Sequence, residues 1–115
     1  MADTLTRRLD GALLQYTYPE LGTVRVRFDD GRVGFEWLAG AFAGEAADGF
    51  AYRARQVGPE QYFVNWHEPE TRGFVTLHVD LAAGTVCSSV LAAYGSDEEQ
   101  VLFHDATIER AELPA

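Results

Sequence analysis

The stretch TVRVRFDDGRVGFEW (Thr23–Trp37) carries two signals that decide the fold class when they are read together. Val24, Val26 and Phe28 alternate with Thr23, Arg25 and Arg27. Side chains two apart on a strand share a face, so this strand has one apolar side and one wetted side. The next residues, DDGR (29–32), supply an Asp-Gly pair suited to a tight hairpin turn. RVGFEW (32–37) then resumes the pattern, with Val33, Phe35 and Trp37 on one face. The direct reading is an antiparallel hairpin with one buried face.

The pattern repeats outward in both directions. LLQYTY (13–18), FAYRARQV (50–57), QYFVNWHE (61–68), GFVTLHVD (73–80), TVCSSVLAA (85–93) and QVLFHDATIERAE (100–112) are short runs rich in β-branched and aromatic residues. Gly, Pro and Asp signals separate them at close spacing, which predicts an all-β chain of about eight strands. Short junctions such as LAAGT (81–85) imply antiparallel neighbours. Eight sequential strands with a polar exterior remove their exposed edges by closing on themselves. The expected fold is therefore a single domain, a small up-and-down antiparallel β-barrel of lipocalin-like form, spanning residues 1–115. Two segments fit less well. LAGAFAGEAADG (38–49), with Gly40, Gly44 and Gly49, reads as a mobile loop or lid at one mouth, and ADTLTRRLDG (2–11) as a short helical or irregular segment closing the other end.

Composition bounds the function. A chain of 115 residues with 47% hydrophobic content has enough apolar material for one core without disulfides. Lys+Arg at 9 against Asp+Glu at 18 leaves a formal charge of -9, which argues against nucleic acid or an anionic membrane as partner. The single cysteine, Cys87, has no intramolecular partner, and MADTLTRRLDG lacks the apolar core of a secretory leader, so the expected location is cytoplasmic. No apolar run approaches the roughly 20 residues that span a bilayer.

Period-two geometry groups Leu14, Tyr16 and Tyr18 on one face of the first strand, and Tyr62, Val64, Trp66 and Glu68 on one face of the fifth. With Phe35 and Trp37 from the third strand, these residues predict an apolar, aromatic lumen holding a few hydroxyls and one carboxylate, the usual lining of a small-molecule site. Tyr16 and Tyr18 are candidate donors to a ligand oxygen. Glu68 is the candidate acid-base group, because a buried carboxylate that prefers neutrality can exchange protons near neutral pH. Phe35, Trp37, Tyr62 and Trp66 are candidate ligand contacts. The competing reading makes the tyrosines core residues bonded to a loop carbonyl, and Glu68 a solvated strand end. His67, His78 and His104 lie on different strands without metal-ligand spacing, and no metal is expected. Cys87 reads as packing, and Arg25, Arg27, Arg53 and Arg55 as a solvated outer face. No glycine loop for phosphate is present, and no cofactor is expected. Outward-facing Phe63 or Phe74 would suit a homodimer patch.

YTYPELG (16–22), followed by YFVNWHEPETRGFVTLHVDLAAGTV (62–86), resembles the bacterial phenolic acid decarboxylases and the related MoaF-like family, both lipocalin-like barrels. The shared elements are the Tyr-x-Tyr strand, the Trp-x-Glu-Pro strand end and the hydrophobic strand after it, over roughly Gly11 to Ser89. By position, the resemblance implies that Tyr16, Tyr18 and Glu68 line the barrel and act without any cofactor. In the decarboxylases those residues serve the loss of carbon dioxide from a para-hydroxycinnamic acid. One departure is chemical: Glu45 stands where the decarboxylases carry an arginine, so a group that pairs with a carboxylate is replaced by one that repels it. The chain also stops before the decarboxylases' long C-terminal extension. The MoaF-like branch is thus the nearer resemblance. The expectation is a barrel that binds a small aromatic or polyketide-like molecule and transforms it by acid-base chemistry, as a lyase, isomerase or cyclase. A non-catalytic carrier barrel is the alternative.

Overall fold

The computed structural model describes residues 5–114, and they form the expected all-β barrel. The strands are β1 (Leu13–Tyr18), β2 (Gly22–Asp29), β3 (Arg32–Gly40), β4 (Ala46–Gly58), β5 (Gln61–Glu68), β6 (Gly73–Asp80), β7 (Thr85–Ala92) and β8 (Gln100–Glu112). Each pairs antiparallel with the next, and β1 pairs with β8 to close the barrel, so no sheet edge is left open. Among the described residues no helix is long and apolar enough to cross a membrane.

The hairpin that announced the fold forms as read. Asp30 and Gly31 both take positive φ, 48° and 72°, and Asp29 pairs with Arg32, the geometry of a two-residue turn matched to strand twist. Val24, Val26, Phe28 and Val33 are buried inside, whereas Arg27, Arg53 and Arg55 are exposed outside. On β5, Tyr62, Val64 and Trp66 point inward, and Phe63 is 50% exposed on the outer surface.

Segment 38–49 departs from the expected lid. Most of it is strand: β3 runs on to Gly40 and β4 begins at Ala46, leaving the turn 41–45 between them. The small residues that argued against a strand are what allow this one. Gly22 and Gly40 face each other, and a Cβ on Gly22 would lie 2.0 Å from the Ala39 carbonyl oxygen. Both glycines also take positive φ. The turn is tied down through Trp37, whose N–H donates to the Glu45 carbonyl at 2.9 Å and whose carbonyl accepts from Gly44 N–H at 2.9 Å.

The N-terminal segment does close one end, as an irregular strap. Its residues 2–4 lie outside the described residues; from residue 5 it makes turns, with Asp10 N–H donating to the Arg7 carbonyl and Ala12 N–H to that of Leu9. Thr6 N–H donates to the Ala54 carbonyl, docking the strap on β4. Leu9, 1% exposed, plugs the barrel end, and burying a leucine that completely contributes about 2 kcal/mol. Above the plug the core is filled by Phe28, Val33, Tyr52, Val64, Val79 and Val86. Cys87 differs from its expected packing role. It is exposed on the outer face, where Asp105 hydrogen-bonds the thiol and pushes its pKa up.

Candidate functional site

The other end of the barrel is hollow. A cavity of about 320 Å³ is lined by Tyr16 and Tyr18 from β1, Phe35 and Trp37 from β3, Trp66 and Glu68 from β5, and Ser88 and His104 from β7 and β8. That volume is at the small end of ligand sites. A larger depression of about 760 Å³ lies on the outer face of β2–β4, but its lining arginines, Arg25, Arg27 and Arg32, stand beside Asp29, Asp30, Glu36 and Asp48, so its charges largely cancel.

Tyr16 and Tyr18 share a face because they are two apart on a strand, and their rings meet edge to face with centroids 5.5 Å apart. Tyr18 also packs against Trp37 at 6.1 Å, and Trp37 against Phe42 of the turn at 5.1 Å, so an aromatic wall runs from the barrel interior to its mouth. Burial raises the pKa of Tyr16 well above the ordinary phenol value, with the neighbouring Tyr18 adding to it. Burial raises Tyr18 as well, partly offset by the hydroxyls of Ser88 and Tyr16. Both phenols therefore stay protonated at neutral pH and remain donors.

Glu68 stands at the mouth, half-buried. The indole Nε1–H of Trp66, two residues earlier on the same face, donates to one carboxylate oxygen at 2.7 Å, and the Thr71 hydroxyl approaches the other at 3.5 Å. The carboxylate is thus held in one orientation by its own strand. Glu45 lines the same mouth from the turn, so two carboxylates face the entrance, and no arginine is among the lining residues.

Of the residues singled out from sequence, Tyr16, Tyr18, Phe35, Trp37, Glu45, Trp66 and Glu68 come together around this cavity. Tyr62 does not. It lies at the closed end beside Arg8, Leu9 and Leu81, because β5 runs from the plug to the mouth and Tyr62 is near its start. Sequence reasoning missed Phe42, hidden in a segment read as a loop, and also Ser88 and His104. Ser88 is the one buried polar residue among those described, at 3% exposure. Alternation on β8 carried the signal for His104: Leu102, His104, Ala106 and Ile108 are the less exposed set and Val101, Phe103, Asp105 and Thr107 the more exposed one.

The MoaF-like family model matches residues 10–100, and the chain belongs to that family. Among solved structures, the chain is similar to one described as a "putative beta-lactamase" from Burkholderia vietnamiensis, with 22% identity, a TM-score of 0.78, and coverage of 97% of this chain and 100% of that one. At that identity the likeness is one of fold. No curated protein matches the chain at a significant level.

Proposed function

We propose that this barrel binds a small, neutral, mostly aromatic molecule in its open end and transforms it by proton transfer, with Tyr16 and Tyr18 donating to a ligand oxygen and Glu68 exchanging a proton at the mouth. The observation that carries the reading is the aromatic cavity of about 320 Å³ with two phenols that burial keeps protonated. A donor pair fixed on one strand suits a carbonyl or phenol oxygen, whose developing charge it would stabilise. Isomerisation and cyclisation fit this donor arrangement, whereas decarboxylation fits the donors but needs an anionic substrate.

The charge of the entrance favours a neutral ligand. Glu45 and Glu68 would repel an entering carboxylate, and the lining includes no arginine to pair with it. This counts against the phenolic acids themselves. A carrier barrel without chemistry is the second reading, favoured by the hold of Trp66 and Thr71 on both oxygens of Glu68, since a tethered carboxylate is also a plain structural solution. A cytoplasmic location belongs to the same proposal.

The test pairs para-coumaric acid with its methyl ester, which differ by one charge, and follows quenching of Trp37 and Trp66 together with the ultraviolet spectrum. The ester is expected to quench at the lower concentration, with the spectrum of the acid unchanged. Tighter binding of the acid would overturn the neutral-ligand reading, and formation of a vinylphenol lost in Glu68→Gln would establish a decarboxylase. Quenching by neither would remove the cavity as a site for this ligand class.

A further inference from the structure

We infer that His104, oriented by Glu20, is a general base of the cavity, a role distinct from that of Glu68. Three histidines are present in the chain, and their imidazoles are engaged differently. His67 uses Nε2 on the Tyr94 hydroxyl and His78 uses Nε2 on Gln61. His104 is bonded through Nδ1, 2.8 Å from Oε1 of Glu20. A carboxylate oxygen accepts, so the proton of a neutral His104 ring sits on Nδ1, and Nε2 is left with a lone pair. Among the described residues Nε2 has no hydrogen-bond partner, and it is not a buried orphan. The ring lines the cavity, with its centroid 6.0 Å from that of Tyr18 in an edge arrangement.

Each part of this dyad is set by the fold. Glu20 sits in the turn directly after Tyr18, closed by Leu21 N–H donating to the Tyr18 carbonyl at 3.2 Å, so one short segment supplies both donor phenols and the orienting carboxylate. His104 pairs with Ser88 across β7 and β8, and the buried Ser88 hydroxyl donates to the His104 carbonyl at 3.4 Å. A base held by a carboxylate on its far nitrogen, with phenol donors beside it, is the arrangement that proton abstraction next to a carbonyl requires.

The step resting on the proposed function is enolisation of a bound aromatic ketone. His104 Nε2 takes a proton from the carbon next to the carbonyl, the C–H electron pair forms the carbon–carbon double bond, and the carbonyl π electrons move onto oxygen. The Tyr18 and Tyr16 hydroxyls donate to that oxygen, and Glu20 faces the imidazolium. Return of the proton to the same carbon gives exchange. Where the ketone is β,γ-unsaturated, the enolate extends into a dienolate, and return of the same proton from His104 to its far carbon gives the conjugated isomer. No oxidant or reductant is consumed. His104 is the catalytic residue and Glu20 a positioning residue.

The test uses 1-tetralone in deuterated buffer. Binding is read by tryptophan quenching, loss of the proton signal next to the carbonyl by NMR, and the imidazole tautomers by nitrogen-15 spectra. The wild type is expected to quench and to exchange the ketone faster than buffer does. His104→Gln is expected to bind within a few-fold of wild type but exchange about a hundredfold slower. Glu20→Gln, on an exposed turn, removes the charge and can donate to Nδ1 as well as accept from it, so it should lower exchange about tenfold and weaken the Nδ1–H preference of His104, which a purely structural contact would not link to exchange. Binding without exchange in the wild type, or exchange undiminished in both variants, overturns the dyad and leaves the cavity standing. Absence of quenching overturns the cavity reading itself. Should His104→Gln fail to fold, Glu20→Gln decides the matter alone.

Discussion

At the closed end of the barrel the Tyr52 hydroxyl donates to Asp10, which also accepts from Gly31 N–H at 3.0 Å and from Arg7 at 2.7 Å. At the open end the hydroxyls of Tyr16 and Tyr18 have only one another and Ser88 as neighbours. All three tyrosines are buried, all three face inward, and burial raises the pKa of each. What separates them is the partner. Tyr52 is bound to a charged strap that pins the N-terminal segment and its Leu9 plug over the core. Tyr16 and Tyr18 have neutral hydroxyls as partners at the cavity, which a ligand oxygen can replace. Buried tyrosines thus differ in whether a charged scaffold group or only a neutral hydroxyl holds them.

The comparison can be broken from the closed end first. Leu9→Ala should lower stability by about 3 kcal/mol in denaturant unfolding, since the plug is fully buried and its removal leaves a void. Ligand quenching at the mouth should survive wherever the variant is folded. A change below about 1 kcal/mol would mean that the strap is not part of the core.

Asp10→Ala should cost about 2 kcal/mol by leaving the Tyr52 hydroxyl buried without an acceptor. Burial by itself would raise the Asp10 carboxyl, but the hydrogen bonds from Tyr52, Gly31 and Arg7 outweigh it and hold the pKa below the usual carboxylate value. The native state thus favours the ionised form. The contribution is complete above the unfolded carboxylate value of about 3.9 and is lost as pH falls through the lower native value. Stability curves for wild type and Asp10→Ala should accordingly lie farthest apart near pH 7 and draw closer in acid, where the protonated carboxyl still accepts from Tyr52 but its charge-linked contribution is gone. Parallel curves would refute the assignment.

The smallest effect is the one that sharpens the contrast. Tyr18→Phe should leave stability within about 0.5 kcal/mol, because no scaffold group loses its charged partner. It should weaken binding of the coumarate methyl ester by about 1 kcal/mol, near fivefold in Kd. Loss of stability comparable to that of Asp10→Ala would show that the open-end tyrosines are structural too.

The eight strands were legible because each keeps a period-two pattern between turn residues, and the Asp30-Gly31 turn was legible because its backbone demands positive φ. Segment 38–49 was not, since glycines read as weak strand formers until a facing backbone requires them, as Gly22 requires Gly40. For the site, alternation brought Tyr16, Tyr18, Phe35, Trp37, Trp66 and Glu68 to the inner surface, yet it could not say at which height in the barrel a residue sits. Tyr62 and Trp66 share a face of β5, but one meets the plug and the other the cavity.

By itself the sequence determined the fold class, the strand boundaries to within a few residues and the inward side of most strands, because these follow from local spacing and turn chemistry. The tertiary structure alone decided which end is plugged and which is hollow, which tyrosine meets a charged partner, and that Glu20 meets His104. Those facts depend on barrel closure, which sets residues distant in the chain beside one another, and no local pattern encodes that distance.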